Sequence, residues 1–185
     1  MNNPLVFILD TLLGVVCFLF LARFILQASR ANYNNPISQG IVKATDPVLR
    51  PMRMLIPSYR NFDFAALIAA WLIKILAVAL SFGIASQFMP GATYLIGFGL
   101  FQMLQLLLTV YWFALIIIIV LSFVAPGTYH PAAELLAQIT EPILAPARRL
   151  IPPLGGLDFS PILVFMILIL ARDYLLPAIF KTLLS

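Results

Sequence analysis

Residues 140–152 read TEPILAPARRLIP, and residues 45–57 read TDPVLRPMRMLIP. A shift of 95 residues lays one on the other. Across residues 45–64 and 140–159, ten of twenty positions are identical. They are Thr45/Thr140, Pro47/Pro142, Leu49/Leu144, Pro51/Pro146, Arg53/Arg148, Leu55/Leu150, Ile56/Ile151, Pro57/Pro152, Asp63/Asp158 and Phe64/Phe159. The match extends back to Pro36/Pro131. A duplicated segment punctuated by Pro and Arg therefore organises the chain, and its surroundings say in what medium.

Those surroundings are apolar. The 185 residues are 63% hydrophobic and 10% charged, against roughly 45–50% and about 25% for a soluble domain. Four runs reach the ~20 mostly apolar residues that a transmembrane helix needs: about 5–28, 62–87, 94–124 and 159–184. The third is long enough to require tilt or an extension beyond the hydrocarbon. No basic region precedes the first run and no small-residue cleavage site follows it, so a cleaved signal peptide is not expected. The short 88–93 linker, FMPGAT, is a Pro-Gly turn. The longer linkers, about 29–61 and 125–158, each hold one copy of the repeated segment.

The basic residues orient these spans. The two long linkers carry Arg30, Lys43, Arg50, Arg53, Arg60, Arg148 and Arg149, whereas the opposite side carries only Lys181. The positive-inside rule places both repeated segments in the cytoplasm, or its organellar equivalent, and both termini outside. The expected fold is all-α: four transmembrane helices in two repeats, residues 1–92 and 93–185. Each repeat has an amphipathic interfacial segment, 36–57 or 131–152, between its two spans. A two-span unit returns the chain to its starting side, so the repeats share one orientation. They would be related by a pseudo-two-fold axis along the membrane normal, which disfavours an inverted-repeat transporter.

The second copy reads locally as two short helices. Pro131 suits a first turn, and Leu135, Leu136 and Ile139 fall on one face. Thr140 is placed to cap a second piece with Pro142 in its first turn, and Thr45 and Pro47 repeat the arrangement. Glu141 suits that N-terminus and Arg148 and Arg149 the C-terminal end. Pro146 bends the piece and PPLGG ends it. Asp158 or Ser160 caps the fourth span, with Pro161 early in the helix, and Asp63 caps the second. Basic residues beside apolar ones mark an interfacial helix. Arg53, Arg148 and Arg149 are thus candidates to contact anionic lipid or a partner; equally, they serve as topology anchors.

Asp10, Lys74, Arg172 and Asp173 fall inside spans, with Gln105 as a polar companion. Each intramembrane charge costs roughly 2.5–3.5 kcal/mol on insertion scales and pairs or lines a cavity. Asp10 with Lys74, and Arg172 with Asp173 or Asp10, are the expected pairs, fixing helix register; an ion or proton path is the functional alternative. Small residues at helical spacing in the second span (Ala65/Ala69, Ala66/Ala70, Ala77/Ser81/Ala85) favour close packing. Trp71, Tyr111 and Trp112 read as lipid or packing contacts.

Catalytic chemistry has little to work with. Cys17 and His130 are the sole residues of their types. They allow no intramolecular disulfide and no recognisable metal or nucleophile set. His130 aligns with Asn35 and is expected to cap or flank a helix. No Walker A loop, dinucleotide turn or HExxH occurs. Neither enzymatic activity, nor a metal or cofactor, nor direct nucleic-acid binding is expected.

The repeated pattern runs Asn/His-Pro, Thr-Asp/Glu-Pro, Leu, Pro, Arg, Leu-Ile-Pro, then Asp-Phe-Ser-Pro. It resembles the YggT family of bacterial membrane proteins, which includes YlmG-type relatives in cyanobacteria and plastids. Two tandem units look like the proteobacterial form. The first copy departs from the pattern: Ala65 and Ala66 replace Ser160 and Pro161, and SYRN replaces the Pro-Gly-Gly region. The second copy is thus the better candidate for a binding site. The resemblance implies a multi-pass inner-membrane protein. It also implies links to cell-envelope or division organisation, organellar nucleoid distribution, cytochrome assembly and osmotic-stress tolerance, a spread that suits a scaffold. The expected function is therefore non-enzymatic membrane organisation. Its expected partners are anionic lipid headgroups, a cytoplasmic or membrane protein, or a second copy of the chain. The alternative is a small channel or transporter component using the intramembrane charges.

Overall fold

A computed structural model describes residues 3–85, 89–124, 130–151 and 158–184. All the regular elements among them are helices: α1 (Pro4–Ala28), α2 (Pro36–Leu55), α3 (Phe64–Ala85), α4 (Ala92–Val124), α5 (Pro131–Leu150) and α6 (Ser160–Ile169). A π-helical turn over Leu170–Leu175 leads from α6 into α7 (Leu176–Leu184). Four stretches are long and apolar enough to cross a membrane: Pro4–Ala28, Phe64–Ala85, Ala92–Leu121 and Ser160–Leu183. They coincide, within a few residues at each end, with the four spans expected from the sequence. At 1.5 Å per residue, the 33 residues of α4 extend about 50 Å, well beyond a ~30 Å hydrocarbon core.

The helices start where the sequence supplies an acceptor followed by proline. Asn3 accepts the N–H of Leu5 at 3.0 Å ahead of Pro4. Asn35 accepts that of Ile37 at 2.9 Å ahead of Pro36. His130 Nδ1 accepts that of Ala132 at 3.2 Å ahead of Pro131. Each supplies one acceptor for the orphan donors of a first turn, with Pro at the position that needs no N–H. His130 thus has the helix-flanking role expected of it.

The two repeated segments are each a single 20-residue helix, not two short pieces. Thr140 does not cap a second helix. Its hydroxyl donates to the carbonyls of Leu136 and Ala137, at 2.8 and 3.3 Å. Thr45 does the same to Ile41 and Val42, at 2.7 and 3.3 Å. These bonds brace the turn before Pro47 and Pro142, where the ladder loses a donor and a helix weakens by ~3 kcal/mol or more. The internal prolines, Pro47, Pro51, Pro142 and Pro146, lie on the exposed face, leaving the buried face to Thr45, Leu49, Thr140, Leu144 and Ala147. PPLGG falls outside the described residues; α5 ends at Leu150, where the N–H of Ile151 donates to Ala147 at 2.9 Å.

Packing follows the small residues. α1 lies most extensively against α3, and α3 against α4. α2 packs on α1 and α3, α5 on α4 and α6, and α2 touches α5. Ala65, Ala66, Ala69 and Ala70 are all buried in the cluster with Cys17, Phe20 and Leu21. Four side chains with no bulk beyond Cβ bring the backbones of α1 and α3 close, as the alanine spacing predicts. Large apolar side chains elsewhere on the spans, such as Phe7 and Leu12, are exposed, as suits helices whose solvent is lipid.

A Cβ added to Gly99 would lie 2.7 Å from Ile75 Cγ1 and 3.1 Å from Ile75 N. Backbone cannot yield as a flexible side chain does. Gly99→Val is therefore expected to separate α3 from α4 and cost about 1–3 kcal/mol, measured as thermal unfolding in detergent. Gly14→Ala, with nothing within 4 Å of its added Cβ, should not lower the melting temperature. Equal melting of Gly99→Val and the parent would contradict this packing.

Candidate functional site

The repeated segment builds the same three-residue ion chain twice. Near the end of α2, Arg53 donates to Asp63, a carboxylate with no solvent exposure, and lies 3.5 Å from Asp46. Near the end of α5, Arg148 donates to Asp158 at 2.9 Å and to both oxygens of Glu141, at 2.9 and 2.8 Å. Under the 95-residue shift these are the same positions: Asp46/Glu141, Arg53/Arg148 and Asp63/Asp158. The acidic and basic members of each helix are seven apart and so share a face.

The third member starts the next span. Asp63 Oδ1 accepts the N–H of Ala66 at 3.3 Å, and Asp158 Oδ1 that of Ser160 at 2.9 Å. Asp63 therefore caps α3 as expected. Of the two candidates for the fourth span, Asp158 supplies the acceptor, Ser160 is the first residue of α6, and Pro161 follows it. Each aspartate neutralises the positive end of a helix dipole while its second oxygen holds an arginine. The hydrogen bond to Asp63 raises Arg53 above its usual pKa, with smaller contributions from the nearby carboxylate charges. Bonds to Asp158 and then Glu141 do the same for Arg148. Ser160 first, and Arg148 next, hold the Asp158 carboxyl below the usual range.

The first chain has additional members. Arg23, five residues before the end of α1, is buried and lies 3.7 Å from Asp46 and 5.3 Å from the Tyr33 ring centre. Its Nε and Nη1 make no hydrogen bond. Arg50 approaches the same Asp46 at 3.5 Å. Three arginines thus converge on two aspartates. The position equivalent to Arg23 is Ile118, so the second copy has no such excess. Arg149 is exposed beside Arg148.

The N-terminal ends of α2 and α5 meet. Asn35 caps α2 with its oxygen, and its amide nitrogen donates to the Pro131 carbonyl at 2.7 Å. The Asn32 N–H donates to Gln138 at 2.7 Å. Neither contact was foreseen from the sequence, although the alignment of Asn35 with His130 already marked both residues as helix starts.

Within the spans the charges separate into two groups. Arg172 and Asp173 join through two bonds of 2.7 and 3.0 Å, as one of the expected pairings has it. The guanidinium also lies 5.4 Å from the Trp112 ring centre. Asp10 and Lys74 do not pair: no ion pair of either occurs among the described residues. Asp10 lines a cavity of about 530 Å³ with Asn3, Ser81 and Gln102. Lys74 lines another of about 490 Å³ with Gln102, Gln105, Thr109, Arg172 and Asp173. Cys17 sits against Ala70, so Asp10, seven residues earlier on the same face of α1, falls beside Val78 and Ser81, about a turn beyond Lys74. The π turn at Leu170–Leu175 was also not foreseen; it precedes Pro177, which has no N–H for the Asp173 carbonyl and crowds it.

Asp63 has no solvent exposure, while its partner Arg53 is about a quarter exposed and also beside Asp46; Asp158 is a third exposed. Asp63→Asn should therefore cost about 1.5–3 kcal/mol, as loss of a hydrogen bond to a charged group does, and Asp158→Asn about 0.2–1 kcal/mol, read by unfolding titration in mixed micelles. Equal losses would refute the asymmetry. The lowered pKa of Asp158 has a definite sign. Its stabilisation is present above about pH 4, the unfolded carboxylate value, and disappears as pH falls through the lower folded value. Melting of Asp158→Asn should lack that part of the acid dependence.

The family model described as CCB3/YggT matches residues 2–84 and again residues 98–179. An uncharacterized protein of Pseudomonas aeruginosa is 43% identical over 173 residues, covering 91% of this chain and 86% of the relative. The uncharacterized protein encoded in the proC 3' region of Vibrio alginolyticus is 36% identical, covering 89% of each chain. The uncharacterized protein YggT of Escherichia coli K12 is 32% identical, covering 90% of this chain and 86% of that one. No solved structure matches the chain. With two matches to one family model spanning most of its length, and relatives aligned nearly end to end, this chain belongs to the CCB3/YggT family.

Proposed function

We propose that the chain is a non-enzymatic organiser of the inner membrane, in which α2 and α5 lie at the cytoplasmic surface and contact anionic phospholipid. One observation carries this reading. At the C-terminal ends of both helices, exposed cations stand beside the most exposed apolar side chains of the segment. The Arg50 side chain is 77% exposed, close in sequence to Met54 and Leu55 at 85% each. Arg149 is exposed next to Leu150 at 74%. Such a surface suits the boundary between acyl chains and phosphates, with the apolar groups below and the guanidinium groups at the headgroups.

The reading divides the arginines between two tasks. Arg53 and Arg148, already bound to two carboxylates each, hold the helix in place. Arg50 and Arg149, with Arg30, Lys43 and Arg60 on the same linkers, meet the lipid. Arg50 keeps this capacity because an exposed pair such as Arg50–Asp46 contributes only ~0–1 kcal/mol. The excess of Lys and Arg on the linkers supports the cytoplasmic placement, and with it two repeats of the same orientation. Organisation of the envelope or division machinery, or tolerance of osmotic stress, would follow from recruiting anionic lipid around the protein.

Lipid selection tests this. In nanodiscs mixing phosphatidylglycerol with phosphatidylethanolamine, the protein should retain phosphatidylglycerol on release into the mass spectrometer. Each of Arg50→Gln and Arg149→Gln should reduce that enrichment about fivefold, the equivalent of ~1 kcal/mol per surface cation. Enrichment that survives the double substitution would end the proposal.

A further inference from the structure

Lys74 is buried in the middle of α3, 9% exposed, and has neither a counter-ion nor a hydrogen-bond partner among the described residues. The cavity it lines, about 490 Å³, is an open groove walled by α4 and by the π turn. α4 contributes Gln102, Gln105 and Thr109, and the π turn contributes Arg172 and Asp173. Asp173 is taken by Arg172 through two hydrogen bonds, so two cations against one carboxylate leave one positive charge over. The Thr109 hydroxyl donates to the Gln105 carbonyl at 2.7 Å. The side-chain amides of Gln102 and Gln105 form no hydrogen bond among the described residues and retain N–H donors for the cavity. Phe98, Phe101 and Leu106 supply the apolar walls.

A buried cation with unused donors around it, whose one cavity-lining acid among the described residues is already held by Arg172, is a binding group awaiting its partner. Uncompensated charge inside a membrane protein is costly, and such residues face cavities that serve a ligand. The π turn adds to this, because single widened turns recur at functional sites. From these features we infer that Lys74, with Gln102 and Gln105, binds one singly charged anion within the membrane. The anion would be a free ion, such as chloride or a short carboxylate, or the phosphodiester of a lipid headgroup. Arg172 is held between Asp173 and the Trp112 ring and bounds the site rather than neutralising it.

A neighbouring cavity of about 530 Å³ shares Phe98 and Gln102 with this one. It is lined by Asn3 and Pro4 at the start of α1, by Asp10, and by Ser81 towards the end of α3. Asp10 is the acid of that cavity. It lies across Gln102 in the adjoining cavity and forms no ion pair with Lys74.

The inference does not rest on the headgroup contact of Arg50 and Arg149, which involves other helices. Purified protein in non-ionic detergent, with sulfate as the background anion, is titrated with chloride and followed by the excess ³⁵Cl linewidth. Acetate and short-chain phosphatidylglycerol are then added as competitors. A saturable excess linewidth displaced by acetate alone identifies a free-ion site. Displacement by phosphatidylglycerol at much lower concentration than acetate identifies the lipid phosphate. Either result supports the inference if Lys74→Met abolishes the effect and Lys74→Arg retains it. Gln105→Leu, which leaves the charges in place, should weaken binding about tenfold, as loss of a hydrogen bond to a charged group does. It serves as the test should Lys74→Met fail to melt cooperatively. The Arg50→Gln and Arg149→Gln double variant should bind as the parent does. No saturable effect from any of the three anions, or binding unchanged in both Lys74→Met and Gln105→Leu, would overturn the inference.

Discussion

Each motif helix ends in an arginine that grips the carboxylate capping the next span, and much of the local geometry follows from that grip. A transmembrane helix that starts at a buried N-terminus needs acceptors for its first N–H groups. Asp63 supplies one, but burying a carboxylate with no exposure to solvent is costly unless a cation pairs with it. Arg53 is that cation, and it comes from the last turn of α2, where the helix dipole also favours positive charge. The end of α2 is therefore fixed to the start of α3, and the residues between them form a tight connection. There Tyr59 and Phe62 exchange hydrogen bonds of 3.1 and 3.0 Å, with Arg60 at a positive φ of 52°.

The same grip differs between the copies in dielectric surroundings. In the first, Asp46 receives Arg23, Arg50 and Arg53 at 3.5–3.7 Å, and the Arg23 guanidinium is enclosed. In the second, Glu141 and Arg148 form a two-bond pair at the surface. Coulomb interactions strengthen as water is excluded, and so does the penalty for breaking them. Both units carry the chain of acid, base and cap, but only the first encloses its cap carboxylate and adds a buried arginine. The second leaves Arg149 exposed at the surface.

Much of this was legible in the sequence because membrane physics acts on whole segments. Twenty apolar residues, proline at helix starts, alanine at four-residue spacing and a 95-residue identity pattern each point to one structure. The capping roles of Asp63 and Asp158 were legible for the same reason: an acid just before an apolar run has few other uses. The role of Asp46 and Glu141 was harder to see. The expectation of a helix break at Thr140 put Glu141 at an N-terminus, and a continuous helix puts it instead one face-repeat from Arg148. Thr140 was the deciding residue, since its hydroxyl can cap a new helix or brace an existing one, and only tertiary packing selects between them. Arg23 was overlooked because it sits among phenylalanines and leucines in an otherwise unbroken span. Its partner lies on another helix, and no spacing within α1 announces it.

The intramembrane charges show where such reasoning must change level. Arg172 and Asp173 are adjacent in sequence and find each other in a widened turn. Asp10 and Lys74 have opposite signs, yet they face different cavities on either side of Gln102. Asp10 is seven residues from Cys17 and so shares the face of α1 that meets α3. The contact of Cys17 and Phe20 with the alanines sets how far along α3 that face sits, with Cys17 at Ala70. Asp10, about 10 Å further along α1, therefore lies beside Val78, Ser81 and Phe82, about a turn beyond Lys74, and that axial offset leaves the lysine without an acid from α1.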